Sequence, residues 1–188
     1  MFLILILSTA TLLGNEFSVG AFIHPALSRT QHERFLPAIQ VFAALFGKIM
    51  PLWMAATLLL HLILLCLIWH WPALSTVLLL AATLLWVVII VFSLFGPVPI
   101  NDRVKTWDIQ KLPPDWQEQR RRWDRLNAIR VVMIALAFLT LILSYKNLQL
   151  SCHRVVILSL YSAAYPIGYG VCDPIGSFEM RTKENQIL

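Results

Sequence analysis

Residues 73–95 read ALSTVLLLAATLLWVVIIVFSLF, without a single charged side chain. A helix crosses the hydrocarbon of a bilayer with roughly 20 consecutive apolar residues, so this run is long enough to span. Pro72 stands just before it, and a proline suits a helix start because the N–H it lacks would be unpaired there anyway. The rest of the chain is built in the same style. Of 188 residues 59% are apolar and only 13% charged, against about 25% charged in soluble domains, and the mean hydropathy is +0.73. The composition is that of an integral membrane protein.

Three further runs accompany residues 73–95. Phe2 to Pro25 is broken only by Gly14, Asn15 and Glu16; Pro37 to Trp69 holds Gly47, Lys48 and His61; and a fourth begins near Leu126 and ends at Leu143 or Ser144, with Arg130 one turn inside. The expected fold is all-α: a membrane-spanning up-down-up-down four-helix bundle over residues 1–147, with an interfacial helix before the fourth span. Residues 148–188 form an atypical C-terminal tail. Its segment 155–171 is apolar but interrupted by Pro166, Gly168 and Gly170, and it reads as a re-entrant, interfacial or poorly ordered extension in preference to a fifth span.

Basic residues set the orientation, because Lys and Arg are retained on the cytoplasmic side. Arg29 and Arg34 fall in the connection 28–36. Arg103, Lys105, Lys111, Arg120, Arg121, Arg122 and Arg125 fall in the connection 96–125, and the second connection has none. Both basic connections are expected to be cytoplasmic, in a plasma (inner) membrane, with the N-terminus outside. The first run lacks a basic leader and a clear cleavage site, so it reads as an uncleaved span. The net charge of +5 is concentrated in one loop, which points to lipid headgroups as the partner, and no nucleic acid is expected.

Charges inside apolar runs are costly and therefore informative. At about 1.5 Å per residue, Glu16 lies roughly 13 to 14 Å inside the first span and Lys48 roughly 16 Å inside the second, so a Glu16–Lys48 pair is the economical expectation. His24 is two turns further along the first helix and about 80° around it from Glu16. Arg120, Trp123, Asn127 and Arg130 recur at spacings of three and four, a polar and aromatic stripe on one helical face. With Asn101 at the end of the third run, these residues outline a cytoplasmic-side pocket. Trp53, Trp107, Trp116 and Trp123 are candidates for flat walls suited to an apolar aromatic small molecule, although tryptophans at helix ends also serve as interface anchors.

Other chemistry is not signalled. There is no HExxH, CxxC or Glu-x-x-His motif, and His24, His32, His61, His70 and His153 are scattered, so no metal is expected. No Gly-rich phosphate loop and no GxSxG elbow occurs. Cys152 and Cys172 lie in the tail, and their spacing leaves a pairing between them open.

Several stretches together bring a family into view. These are Gly14-Asn15-Glu16 through His24-Pro25, Phe46-Gly47-Lys48-Ile49-Met50-Pro51, Pro97-Val98-Pro99-Ile100-Asn101-Asp102-Arg103 with Trp107-Asp108, Pro114-Asp115-Trp116, and Arg121-Arg122-Trp123-Asp124-Arg125. Over about Met1 to Tyr145 the chain resembles the anthrone oxygenase-like family of small membrane proteins. The resemblance implies a four-helix membrane domain. In its characterised branch it implies oxidation of an anthrone to an anthraquinone by O2, with no cofactor expected beyond O2 as co-substrate. On that chemistry the catalytic candidates are Glu16 or His24 as base, with Lys48 and Arg130 as cations stabilising the enolate-like charge. Asn15, Trp53, Asn101, Trp123 and Asn127 are the substrate-binding candidates. The residues leave a second class open: a non-enzymatic module, such as a small transporter, an apolar-metabolite binder or a complex subunit, in which Glu16 and Lys48 form a structural pair.

Overall fold

The computed structural model describes residues 1–28, 32–69, 73–108, 111–164, 170–172 and 178–180. The chain divides into two compact units, Met1–Asn147 and Leu148–Leu188. In the first, α1 (Phe2–Ser18) runs through a π-helical turn (Val19–Ile23) into the short α2 (His24–Ser28). Then come α3 (His32–Ile68), α4 (Ala73–Phe95), α5 (Pro97–Val104) and α6 (Trp116–Ala164). Among the described residues four helical stretches are long and apolar enough to cross a membrane: Phe2–Leu27, Leu36–Ile68, Leu74–Val104 and Trp116–Ile157. Helices are the form such segments must take, since the hydrocarbon offers no water to satisfy backbone N–H and C=O groups.

One core joins the four long helices. Leu12 of α1, Met50 and Met54 of α3, Trp86 and Ile89 of α4, and Ile134 and Ala137 of α6 pack together. Trp86 is wholly buried, and its indole N–H donates to the Met54 carbonyl at 3.1 Å. On the outside of the same helices Leu52 is 73% exposed and Phe95 81% exposed, the inverse of a soluble surface and suited to lipid.

Between α4 and α5 the chain bends at Gly96. Its N–H donates to the Phe92 carbonyl at 2.9 Å, and a Cβ at this position would stand 2.9 Å from that same backbone oxygen. Only glycine lets the two groups approach so closely. Pro97 then opens α5 at its first turn. A second, smaller core of Ile100, Val104 and Trp123, flanked by Val19, Ile39, Trp107 and Leu126, seats α5. Gln40 of α3 closes the far end of α5 by donating to the carbonyls of Val104 at 3.1 Å and Trp107 at 2.8 Å. The Val104 carbonyl is the last of the short helix, where no partner within the helix is left, and that of Trp107 lies in the loop just beyond it.

Ahead of the fourth span lie the short α5 and the first turns of α6, which runs unbroken from Trp116 into that span. In the second unit Val155 to Ala164 continues α6, and Gly170–Cys172 (β1) pairs antiparallel with Phe178–Met180 (β2); the rest of the apolar run 155–171, residues 165–169, lies outside the described residues. Polar residues such as Ser144 and Lys146 do not stop a helix, and α6 runs through both. The Cys152–Cys172 pairing lies outside the described side chains.

Candidate functional site

The π turn decides which face of the first helix carries chemistry. In an unbroken α-helix the eight steps from Glu16 to His24 leave the two about 80° apart. The turn Val19–Ile23, closed by the His24 N–H on the Val19 carbonyl, takes up one extra residue. The separation falls to about 20°, and both side chains reach one cavity.

Glu16 is paired with Arg130, and both are buried. Arg130 Nη2 donates to Glu16 Oε2 and also to Asn127 Oδ1 at 2.9 Å. Asn127, itself 1% exposed, donates through Nδ2 to the Glu16 main-chain carbonyl at 3.3 Å. One turn of α6 thus grips both the side chain and the backbone of Glu16. Both Arg130 contacts use Nη2, and among the described residues its buried Nε has no partner.

The second centre is His24 with Asp124. His24 Nδ1 stands 2.8 Å from Asp124 Oδ1, and the imidazole stacks on Trp123 with ring centroids 4.1 Å apart and planes 24° from parallel. A carboxylate only accepts, so Nδ1 carries the hydrogen and the neutral ring keeps its lone pair on Nε2. Stacking and hydrogen bond together fix the ring orientation, the arrangement a general base requires.

A cavity of about 140 Å³ joins the two centres. Asn15, Glu16, His24, Asn101 and Arg130 give it a polar side, with Trp123; Phe42, Phe46, Met50, Met54, Ile90 and Leu94 give it apolar walls. A smaller cavity of about 30 Å³ adjoins it, sharing His24, Ile39, Asn101 and Trp123 and adding Trp107, Trp116 and Arg120. Among the described residues no three His, Cys, Asp or Glu side chains converge on a point where a metal ion could sit.

The structure separates the residues singled out in the sequence. Asn15, Glu16, His24, Asn101, Trp123 and Arg130 line the larger cavity. Lys48 does not: it is exposed, and the Glu16–Lys48 pair gives way to Glu16–Arg130. The physical reason is rotation. Ala43, Met50, Met54, Thr57 and His61 mark the buried face of α3, and Lys48, two residues before Met50, points about 200° away from it. Trp53 is also turned from the cavity, its indole N–H donating to Ser8 Oγ at 3.0 Å. Asn127 lies behind the cavity wall and acts on Glu16 and Arg130. Asp124 was hidden in a run of arginines, with nothing in sequence to link it to His24.

Residues 40–140 match the family model of the anthrone oxygenases. The chain belongs to the anthrone oxygenase family. Within the matched stretch of this anthrone oxygenase-family protein lie Asn101, Trp123, Asp124, Asn127 and Arg130, while Asn15, Glu16 and His24 precede it. No curated protein and no solved structure matches the chain.

Proposed function

We propose that this protein is a membrane-embedded oxygenase that oxidises an anthrone-like phenolic polycycle with O2. The carrying observation is that an Asp-oriented histidine and a buried arginine bound the same mainly apolar cavity. His24 and Arg130 both line the cavity, which suits a substrate that carries an acidic C–H and a carbonyl at separate points of one ring system, as an anthrone does.

His24 Nε2 takes the benzylic proton, and the negative charge spreads through the ring to the carbonyl oxygen, where the guanidinium of Arg130 stabilises it. The electron-rich carbanion is oxidised by O2, which becomes bonded to the benzylic carbon as a peroxide. Protonated His24 returns its proton to the outer peroxide oxygen. Loss of the second benzylic hydrogen with cleavage of the O–O bond releases water and leaves the new carbonyl of the anthraquinone. One O2 is consumed, one oxygen atom stays in the product and the other leaves in water. Trp123, Phe42 and Phe46 offer flat walls for the ring system.

The four spans are read as an up-down-up-down bundle in the plasma membrane, with the basic connections 28–36 and 96–125 cytoplasmic and the N-terminus outside. This orientation opens the cavity toward the cytoplasmic leaflet, from which a lipophilic substrate would arrive. The apolar lining on its own also suits a binding or transport module for an apolar metabolite. Oxygen uptake by the purified protein with anthrone separates the two: the oxygenase consumes O2, and His24→Ala abolishes the uptake; retention of anthrone with no uptake selects the module.

A further inference from the structure

We infer that Gly20 and Asn127 form a positioning lock that holds the π turn and thereby sets Glu16 and His24 on one face; the inference rests on the oxygenase reading for its kinetic readout only. Gly20 is the second of the five residues of the π turn. A Cβ added there would stand 2.5 Å from Asn127 Nδ2, a separation that real atoms do not tolerate. The usual escape, swinging the side chain aside, is closed. The Asn127 amide is 1% exposed, its nitrogen donates to the Glu16 carbonyl at 3.3 Å and its oxygen accepts from Arg130 Nη2 at 2.9 Å. Any shift that makes room for a methyl group at residue 20 breaks one of these contacts.

The amide thus reads the absence of a side chain on the π turn and reports it to both members of the buried ion pair. The Glu16 carbonyl it holds lies one turn before Gly20, at the entrance to the π turn, so the contact pins the register at the point where the helix changes its winding. Glu16 sits before that point and His24 after it. If the turn relaxed to regular α geometry, His24 would rotate by about 100° relative to Glu16 and leave both Asp124 and the cavity. Neither Gly20 nor Asn127 lines the cavity, so both act through other residues.

The lock has a specific signature, which is that the two residues share one function. Gly20→Ala, Asn127→Ala and the double variant are prepared as full-length protein in lipid nanodiscs, and kcat, KM for anthrone and the thermal unfolding midpoint are measured. Each single variant is expected to lower kcat by about 10²-fold, the scale of a small misplacement of catalytic groups, with KM changed by less than about twofold. The double variant is expected to be no slower than the worse single one, because once the amide is gone the new methyl group meets nothing. A double variant slowed by the product of the two single effects, or a Gly20→Ala protein with unchanged kcat, would overturn the lock. A purely structural role would instead lower the unfolding midpoint and leave kcat of the folded protein intact. Asn127→Ser replaces Asn127→Ala if the latter does not fold, with the same non-additivity expected. If the parent protein turns over no anthrone, the oxygenase reading fails by itself. The lock then rests on the His24 ring, whose imidazole NMR shifts are set by Asp124 and the Trp123 stack: both single variants are expected to change them alike and the double variant no further, and unchanged shifts would overturn it.

Discussion

His24 and Asp124 stand 2.8 Å apart although 100 residues separate them in the chain. The contact links the end of the first helix to the start of α6, and the stack of His24 on Trp123 reinforces it from the neighbouring residue. An orienting carboxylate, a histidine and an aromatic face are thus supplied by two short stretches that meet only in the fold.

Removing the carboxylate tests its role as orienter. Asp124→Asn keeps the shape but replaces a group that only accepts by an amide that also donates, so the His24 tautomer is no longer dictated. Oxygen uptake with anthrone is expected to fall about 10²-fold in kcat, the lower range of what a positioned base contributes, with little change in KM.

The buried Glu16–Arg130 pair is expected to behave as a unit. Arg130→Met leaves Glu16 without its cation and should cost about 3–5 kcal/mol of stability, whereas adding Glu16→Gln should recover most of that loss. Unfolding midpoints of the single and double variants in detergent check this. Additive losses would show that the two side chains do not depend on each other.

Lys48→Met is expected to change stability by no more than about 0.5 kcal/mol, as for an ordinary surface substitution, and to leave oxygen uptake within about twofold. Its side chain points away from the core and away from the cavity. A large loss of uptake would return Lys48 to the site.

Gly96→Ala tests the bend between α4 and α5. The new Cβ would meet the Phe92 backbone oxygen at 2.9 Å, and backbone cannot swing aside as a side chain can. A loss of about 1–3 kcal/mol is expected, the usual cost of forcing atoms into a packed site, read as a lower thermal midpoint.

How far the sequence could be read differs by residue. The four spans were legible because apolar runs such as residues 73–95 have one viable form in hydrocarbon. Glu16, the helical stripe through Trp123, Asn127 and Arg130, and the cavity-lining Asn101 were legible from cost and spacing. The partner of Glu16 was not, because rise along a helix gives depth while rotation decides contact: Lys48 has matching depth and the opposite azimuth. That azimuth was recoverable from the spacing of Ala43, Met50 and Met54, which marks the buried face of α3. The π turn was beyond reach, since no residue in Val19-Gly20-Ala21-Phe22-Ile23 announces a change of winding. Its effect is to turn His24 from a neighbouring face onto the cavity. Asp124 was concealed for a different reason, its surrounding arginines giving the whole stretch the look of a headgroup-binding segment.

Proton abstraction by His24 before any oxygen chemistry is the centre of the proposed mechanism, and it can be observed in isolation. Anthrone is mixed with the nanodisc-embedded protein under anaerobic conditions, and the absorbance of the deprotonated anthrone is followed by stopped flow. The parent protein is expected to form that anion in the absence of O2, and His24→Ala is expected to form none above the buffer rate. Equal anion formation by both proteins, or none by either together with undiminished oxygen uptake, would contradict the mechanism.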